Sequence, residues 1–206
     1  AGLTVMAVHN HYPKAAVMTG LPDESFIRAD IPMTKREIRA SVVSRLSPAK
    51  DAIVYDIGAG TGSVSVELAM HALYGTVYAV ERTKEGCELI AQNARKFGLD
   101  NIDIINASAA DVIEKLPAAD SVFIGGSGGE LEKIMDIVLK KNPGVHIVIT
   151  AVTLETLNDS VRLMEDKKVD VIDIVQIAVT QIKKRGRYHM LAANNPVFII
   201  EGRGNR

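Results

Sequence analysis

A glycine-rich segment that directly follows an apolar run is the strongest chemical signal in this sequence. The segment reads Asp56, Ile57, Gly58, Ala59, Gly60, Thr61, Gly62 and Ser63. Glycine adopts positive φ and lets a ligand contact the backbone, and a helix that begins behind such a turn offers unpaired amide donors. The segment predicts a binding turn for a phosphate or an ionised amino-acid group. A tight strand-to-helix turn without a ligand is the alternative.

Glu81 is the second signal, because it ends an apolar run 25 residues after Asp56. In a doubly wound sheet, a carboxylate at this position lies beside the first turn and accepts hydrogen bonds from ribose hydroxyls. The dinucleotide fingerprint G-x-G-x-x-G would need a third glycine where Ser63 stands. Asp56 precedes the first glycine by two residues and is predicted to hold the amides of the turn. The combination resembles the class I methyltransferase motif more than a nicotinamide-binding turn.

Short apolar runs alternate with helical patterns, which predicts βαβ units and a mostly parallel sheet. The predicted strands are 52–57, 76–80, 102–105, 121–124, 146–151, 169–178 and 197–201. The predicted helices are 63–72, 84–97, 131–140 and 154–166, together with one that begins at a Thr34–Glu37 capping box and stops before Pro48. We therefore expect one doubly wound α/β domain at 31–206. Residues 1–30 are predicted to be an arm, with a possible strand at Leu3–Val8.

Composition limits the functions that the chain can have. The formal net charge is −1 and aromatic residues make up 4% of the chain, which argues against a nucleic-acid partner. Cys87 is the one cysteine, so no internal disulfide can form and a cytoplasmic location is expected. No apolar run reaches the ~18 residues that would predict a membrane span. The histidines lack metal-ligand spacing, so no metal site is expected.

Five motifs agree in order and spacing with one enzyme family: Thr34–Arg39, Asp56–Gly62, Gly125–Gly129, Ala151–Thr156 and Asn195–Pro196. The chain resembles, over about residues 20 to 203, the decarboxylating precorrin C15-methyltransferases of cobalamin biosynthesis. The resemblance implies a class I fold whose seven-stranded, mostly parallel sheet has an antiparallel last strand. It also implies S-adenosylmethionine as cofactor and a homotetramer. The implied reaction methylates C15 of a precorrin-6B or cobalt-precorrin-6B type tetrapyrrole and decarboxylates its C12 acetate.

The resemblance assigns cofactor contacts to Thr34, Gly58–Gly62, Glu81 and Ala109. The sequence departs from the family after the third strand, where an acidic residue is common near the adenine. Here the stretch 106–109 reads Asn-Ala-Ser-Ala. The Ser108 hydroxyl and the Ala109 amide are therefore the candidates for adenine recognition.

The loop after the fourth strand is a candidate substrate site, and it consists of Gly125, Gly126, Ser127, Gly128 and Gly129. The acidic or Asn residue followed by Pro-Pro-aromatic, usual in amino-group methyltransferases, is absent from it. Small residues leave room for a bulky planar ligand and expose backbone donors. A flexible loop without a ligand is the alternative.

A basic segment is predicted to be a loop that leaves the sixth strand at the cofactor edge. It contains Lys183, Lys184, Arg185 and Arg187. Tetrapyrrole precursors carry acetates and propionates, and such cations bind carboxylates through charge-assisted hydrogen bonds. A solvated charge run is the alternative. Tyr188 and His189 are candidates for proton transfer, with a structural role as the alternative, and no catalytic residue is assigned.

Several alternatives stay open at this point. In some relatives the domain is fused behind a C5-methylating precorrin methyltransferase, and Leu3–Pro13 resembles the end of such a partner. An arm used in oligomer contacts explains the segment equally well. The chain could instead methylate another small molecule or RNA, or it could be a non-catalytic S-adenosylmethionine-binding subunit.

Overall fold

Strands and helices alternate along the chain in a computed structural model, which describes residues 17–205. The strands are β1 (Ile53–Ile57), β2 (Thr76–Glu81), β3 (Ile102–Asn106), β4 (Ser121–Ile124), β5 (His146–Ala151), β6 (Asp170–Ile177), β7 (Thr180–Arg185), β8 (Tyr188–Ala193) and β9 (Val197–Arg203). The helices are α1 (Arg36–Leu46), α2 (Ser63–His71), α3 (Lys84–Lys96), α4 (Ala109–Val112), α5 (Leu131–Lys141) and α6 (Leu154–Asp166).

Seven strands form the main sheet in the order β3-β2-β1-β4-β5-β9-β6. The pairs β1–β2, β1–β4, β2–β3 and β4–β5 are parallel, whereas β9 runs antiparallel to both β5 and β6. The predicted doubly wound, seven-stranded sheet with an antiparallel last strand is thus confirmed. The order of strands reverses at β1, so the carboxyl ends of β1 and β4 open a crevice in which ligands of such sheets bind.

Burial of both faces explains why the central strands are apolar along their whole length. Side chains alternate between the two faces of β1. Tyr55 and Ile57 pack in the cluster that includes Ile134 of α5, whereas Val54 packs in the cluster that includes Val42 of α1 and that covers the opposite face. Both faces of the sheet are therefore buried, and the loops that follow its parallel strands lie at the same edge.

The first helix starts later than predicted. Its first residue is Arg36, its N-cap is Lys35, and no side chain caps it. The prediction that Thr34 and Glu37 form a capping box is therefore wrong. The backbone carbonyl of Thr34 instead accepts a hydrogen bond of 2.6 Å from Arg39 Nη1. Thr34 therefore contacts the buried guanidinium of Arg39.

Arg39 and Glu67 form a fully buried ion pair between α1 and α2. Both side chains are 0% exposed, and Arg39 Nε lies 2.6 Å from Glu67 Oε1. The Glu67 carboxylate also accepts hydrogen bonds from the backbone amides of Gly20 and Leu21, at 2.8 and 3.0 Å. The Arg39 guanidinium donates to Asp23 Oδ1 as well. A buried charge needs such complete pairing, so the pair attaches the segment that precedes α1 to the domain.

Only the second half of the predicted arm can be described. At residues 17–30, Ile27 exchanges two hydrogen bonds with the Asn93 side chain of α3, and Phe26 packs against Phe97. The possible strand at Leu3–Val8 and the segment Leu3–Pro13 lie outside the described residues. The 30/31 domain boundary stays a prediction.

The predicted loop at 183–189 is a β-hairpin, so the interpretation as a loop is wrong. Strands β7 and β8 pair antiparallel as a separate two-stranded sheet, with Lys184 opposite His189 and Arg185 opposite Tyr188. Gly186, at φ +61°, is in the turn. Strand β7 reads TQIKKR and has a single apolar residue, Ile182, so its sequence carries no apolar alternation that would predict a strand. Among the described helices, none is long and apolar enough to cross a membrane.

We expect Glu67→Ala to lower the free energy of unfolding by about 3–5 kcal/mol, because it leaves the Arg39 charge buried without its main partner. Urea unfolding followed by circular dichroism measures the loss. Glu88→Ala is the control, since the Glu88 side chain is 60% exposed and pairs with Lys84 at 3.9 Å. Its cost should stay below about 1 kcal/mol. Equal costs for the two variants would contradict this role of the buried pair.

Candidate functional site

A cavity of about 340 Å³ lies at the carboxyl ends of β1, β2, β3 and β4. Its size falls in the range of small-molecule sites. Four loops and the segment before α1 supply its wall. The wall consists of Asp30, Ile31, Pro32, Gly58, Gly60, Val80, Glu81, Arg82, Thr83, Ala107, Ser108, Ala109, Gly126, Ser127 and Gly128.

The glycine turn after β1 has the backbone that its sequence predicts. Gly58, Gly60 and Gly62 have φ of +74°, +56° and +75°. A Cβ atom on Gly58 would lie 2.5 Å from the carbonyl oxygen of Gly126, which real atoms do not tolerate. The turn after β1 and the loop after β4 therefore touch through backbone alone, and a side chain at position 58 would push them apart.

Glu81 stands at the end of β2 with its carboxylate against the turn. Its Oε2 accepts a hydrogen bond from the Gly60 amide, and its Oε1 accepts from the amide and hydroxyl of Thr83, each at 2.9 Å. A carboxylate has about four acceptor sites, so acceptor capacity remains for a ligand. A Cβ on Gly86 would lie 2.6 Å from Glu81 Cγ, so this glycine leaves the space that Glu81 occupies. The carboxylate is held in place, and its Oε2 can accept a further hydrogen bond from a ligand hydroxyl.

Asp56 has a different place from the one predicted. Its side chain is fully buried, its Oδ2 accepts from the Ser65 hydroxyl, and its Oδ1 has no hydrogen-bond partner. The amides of Gly58 and Ala59 bind the carbonyl oxygen of Val80 instead, at 3.0 and 3.2 Å. The prediction that Asp56 holds the amides of the turn is therefore wrong, because the strand beside β1 supplies a nearer acceptor.

Burial determines the acidity of Asp56. Loss of water raises the pKa of this carboxyl to about 6, partly opposed by hydrogen bonding from Ser65 and further raised by the charge of Glu81. The two carboxylates that the sequence singled out therefore differ in environment. Glu81 lines the cavity, whereas Asp56 lies beneath the turn.

The other predicted cofactor contacts are distributed around this cavity. Ser108 and Ala109 line it; the Ser108 hydroxyl donates to Glu130, which leaves its oxygen as an acceptor. Ala109 opens α4, so its amide has no partner within that helix. The remaining predicted contacts, Thr34, Ala59, Thr61 and Gly62, are not among the residues that line the cavity.

Sequence reasoning missed several residues of the cavity wall. Arg82 and Thr83 directly follow Glu81, a predicted cofactor contact, and this adjacency is the sequence signal that points to them. Arg82 packs against the loop after β4, since a Cβ on Gly128 would lie 2.7 Å from its guanidinium carbon. Asp30, Ile31 and Pro32 carry no motif, and only the fold brings them to the cavity.

A second cavity of about 270 Å³ adjoins the first, and Gly126, Ser127 and Gly128 line both. Its other lining residues are Ile124, Gly125, Gly129, Leu131, Ile149, Thr150, Val152 and Thr156. The predicted substrate loop, 125–129, thus stands between two spaces. A ligand in one cavity would be separated from a ligand in the other only by a chain of small residues.

The basic segment lies away from these walls. Lys183, Lys184, Arg185, Arg187, Tyr188 and His189 are all exposed, and none lines either cavity within the described part of the chain. Arg187 instead donates to the Tyr188 hydroxyl at 2.8 Å and lies over its ring. Their part in binding stays a prediction.

Strand order, the antiparallel β9 and the cavity beside Glu81 define the class I methyltransferase fold. The family model of the precorrin methyltransferase domain matches residues 25–202. The chain belongs to this family.

Named relatives agree with this assignment. A Pyrobaculum calidifontis protein named "Probable cobalt-precorrin-6B C(15)-methyltransferase (decarboxylating)" is 40% identical over 88% of this chain and 94% of its own length. The Salmonella typhimurium protein with the same activity name is 35% identical over 87% of this chain and 94% of its own length. The crystal structure of a Geobacter metallireducens precorrin-6y C5,15-methyltransferase has a TM-score of 0.84 and 37% identity, covering 94% of this chain and 100% of the other.

Gly58→Ala should destabilise the domain by about 1–3 kcal/mol, because positive φ and the contact with Gly126 are both unfavourable for a side chain. Gly126→Ala is the matched control, since a Cβ there meets nothing within 4 Å, and we expect less than about 1 kcal/mol. Thermal and urea unfolding of both variants measure this. A similar cost for the two changes would refute the close backbone contact as the reason for Gly58.

Asp56→Asn should change how stability depends on pH. The raised pKa of Asp56 means that the folded state binds this proton more tightly, so the wild type loses stability as pH rises from about 4 to about 6. The variant lacks this loss and should gain up to about 3 kcal/mol over the wild type between pH 4 and 7.5. Urea unfolding of both proteins at the two pH values tests this; a difference that does not change with pH would contradict it.

Proposed function

We propose that this protein transfers a methyl group from S-adenosylmethionine to C15 of a precorrin-6B or cobalt-precorrin-6B type tetrapyrrole and decarboxylates the C12 acetate of that ring. Membership of the precorrin methyltransferase domain family and the activity named for its relatives support this reaction. The observation that carries the proposal is the pair of adjoining cavities, which share only small residues as a common wall.

The first cavity fits S-adenosylmethionine. Glu81 Oε2, which accepts one hydrogen bond within the protein, has acceptor capacity for a ribose hydroxyl. The Ala109 amide and the Ser108 oxygen can meet the adenine, and the glycine turn admits the amino-acid tail to the backbone. Side chains at Gly58 or Gly60 would disturb this turn, because their Cβ atoms would lie 2.5 and 3.0 Å from backbone oxygens. When bound, the cofactor supplies a methyl group on a positively charged sulfur, which a carbon nucleophile can attack.

The residues of this chain then act mainly by positioning. The loop 125–129 permits a planar ring to approach the first cavity closely, because glycine and serine have little bulk. Loss of carbon dioxide leaves an electron pair in the conjugated ring, so the nucleophilic carbon needs no strong base. In-line orientation of two reactants supplies up to about 7–11 kcal/mol of the barrier reduction. No side chain is assigned as the acid or base.

The hairpin β7–β8 is proposed to act at a distance from the reacting atoms. Lys183, Lys184, Arg185 and Arg187 place four cations on an exposed projection, where they can attract the acetates and propionates of the ring. The homotetramer implied by the family is a further proposal. So is association or fusion with a C5-methylating enzyme; a relative with that double activity in its name supports it.

Mass spectrometry of the product tests the reaction directly. Purified protein, S-adenosylmethionine and a precorrin-6B type substrate should yield a product that has gained one methyl group and lost one carbon dioxide. The same assay without S-adenosylmethionine is the control for methyl gain. A product without either change, from protein that binds both ligands, would exclude this function and leave a binding subunit or another methyl acceptor.

Glu81→Gln should weaken S-adenosylmethionine binding about 10- to 100-fold, because a charged acceptor for a ribose hydroxyl becomes a neutral one. Isothermal titration calorimetry measures the affinity. Glu85→Gln is the control, since Glu85 is an exposed residue in the first turn of α3, and its affinity should stay within about twofold of the wild type. Unchanged binding by Glu81→Gln would remove the ribose contact from the proposal.

A further inference from the structure

The second cavity differs from the first in its electrostatics. Among the described residues that line the first cavity, Asp30, Glu81 and Arg82 are charged. The described lining of the second consists of small and aliphatic residues with Ser127 and two threonines, and none of it is charged. Glu130 follows Gly129 in the chain but does not line the second cavity; its carboxylate accepts a hydrogen bond from the Ser108 hydroxyl and lies 3.9 Å from Lys133. The described lining of the second cavity therefore offers hydroxyls and apolar surface to an entering group, and it includes no cation.

Such surroundings favour the loss of carbon dioxide from a carboxylate. In decarboxylation the bond between the acetate methylene and its carboxyl carbon breaks, carbon dioxide leaves, and the electron pair passes into the ring. A cation beside the carboxylate would stabilise the charge where it starts and so raise the barrier, and this effect is large away from water. Hydroxyl groups can orient the carboxylate without holding its charge, while apolar surface removes its water.

We propose that the second cavity receives the acetate that is decarboxylated, with Thr150 and Thr156 orienting it, Ile149 excluding water and Val152 at the exposed rim. This inference rests on the proposed function and deepens it, because it assigns the two chemical steps to two cavities. The ring would lie over the loop 125–129, with its acetate on the side of β5 and α6 and its methyl-accepting carbon on the side of Glu81. Arg82 packs on Gly128 and lines the first cavity, and it is not among the residues that line the second.

Val152 offers a direct test, because it lines the second cavity but is 67% exposed, so a charged residue there does not disturb the core. Val152→Lys brings a cation to the acetate. It should lower the single-turnover rate of carbon dioxide loss about tenfold or more, which corresponds to about 1.4 kcal/mol of added stabilisation of the carboxylate. Affinity for the tetrapyrrole, titrated by its visible absorbance with S-adenosylhomocysteine present, should become tighter, because the lysine attracts the carboxylate.

Two further variants separate charge from steric effects. Val152→Glu should instead weaken tetrapyrrole binding about tenfold, because like charges repel. Leu154→Lys is the matched control: Leu154 is 74% exposed, lies two residues away and does not line the cavity. Its rate and affinity should stay within about twofold of the wild type.

The outcomes distinguish this inference from the proposed function. Opposite effects of Val152→Lys and Val152→Glu on binding, with slow decarboxylation in the lysine variant alone, support the assignment. Identical kinetics of the two variants, or an unchanged rate in Val152→Lys, overturn it while the wild type still methylates and decarboxylates. If the wild type itself leaves the tetrapyrrole unchanged, the proposed function fails first, and the assignment of the acetate fails with it.

Discussion

The backbone contact between Gly58 and Gly126 is the constraint on which the site depends. A single Cβ atom on Gly58 would lie 2.5 Å from the carbonyl oxygen of Gly126. The contact is possible because β1 and β4 are parallel neighbours whose carboxyl ends meet at the reversal of strand order. It leaves a wall of glycine and serine between the two cavities, so two ligands could approach each other without a side chain between them.

Two carboxylates near this contact have different physical states. Glu81 is held by hydrogen bonds from Gly60 and Thr83 and lines the cavity. Asp56 is buried with one oxygen unpartnered, and burial raises its pKa to about 6. Glu81 ends β2 and so offers a ligand a charged acceptor. Asp56 lies in β1 of the same sheet, but its side chain points into the protein and retains its proton more readily.

The buried pair of Arg39 and Glu67 helps to position part of the first cavity's wall, although neither residue lines the cavity. Glu67 binds the amides of Gly20 and Leu21, and Arg39 binds the carbonyl of Thr34. The intervening segment, 30–32, lines the cavity. The hydrogen bonds of the buried pair, at Gly20 and Leu21 on one side and at Thr34 on the other, therefore hold the chain on both sides of this segment. Stability and site geometry are coupled through these hydrogen bonds.

The sequence by itself determined the strand and helix alternation, the glycine turn and Glu81, because apolar periodicity and positive-φ glycines are local properties. It also identified the family, since several motifs agree in order. Tertiary structure decided what depends on contacts between distant residues. Val80 and not Asp56 holds the turn amides, residues 30–32 close the cavity, and Arg82 packs on Gly128. The basic segment is a hairpin because β7 and β8 pair with each other. Backbone hydrogen bonds make this pairing, so the charged side chains of the segment do not indicate it in the sequence.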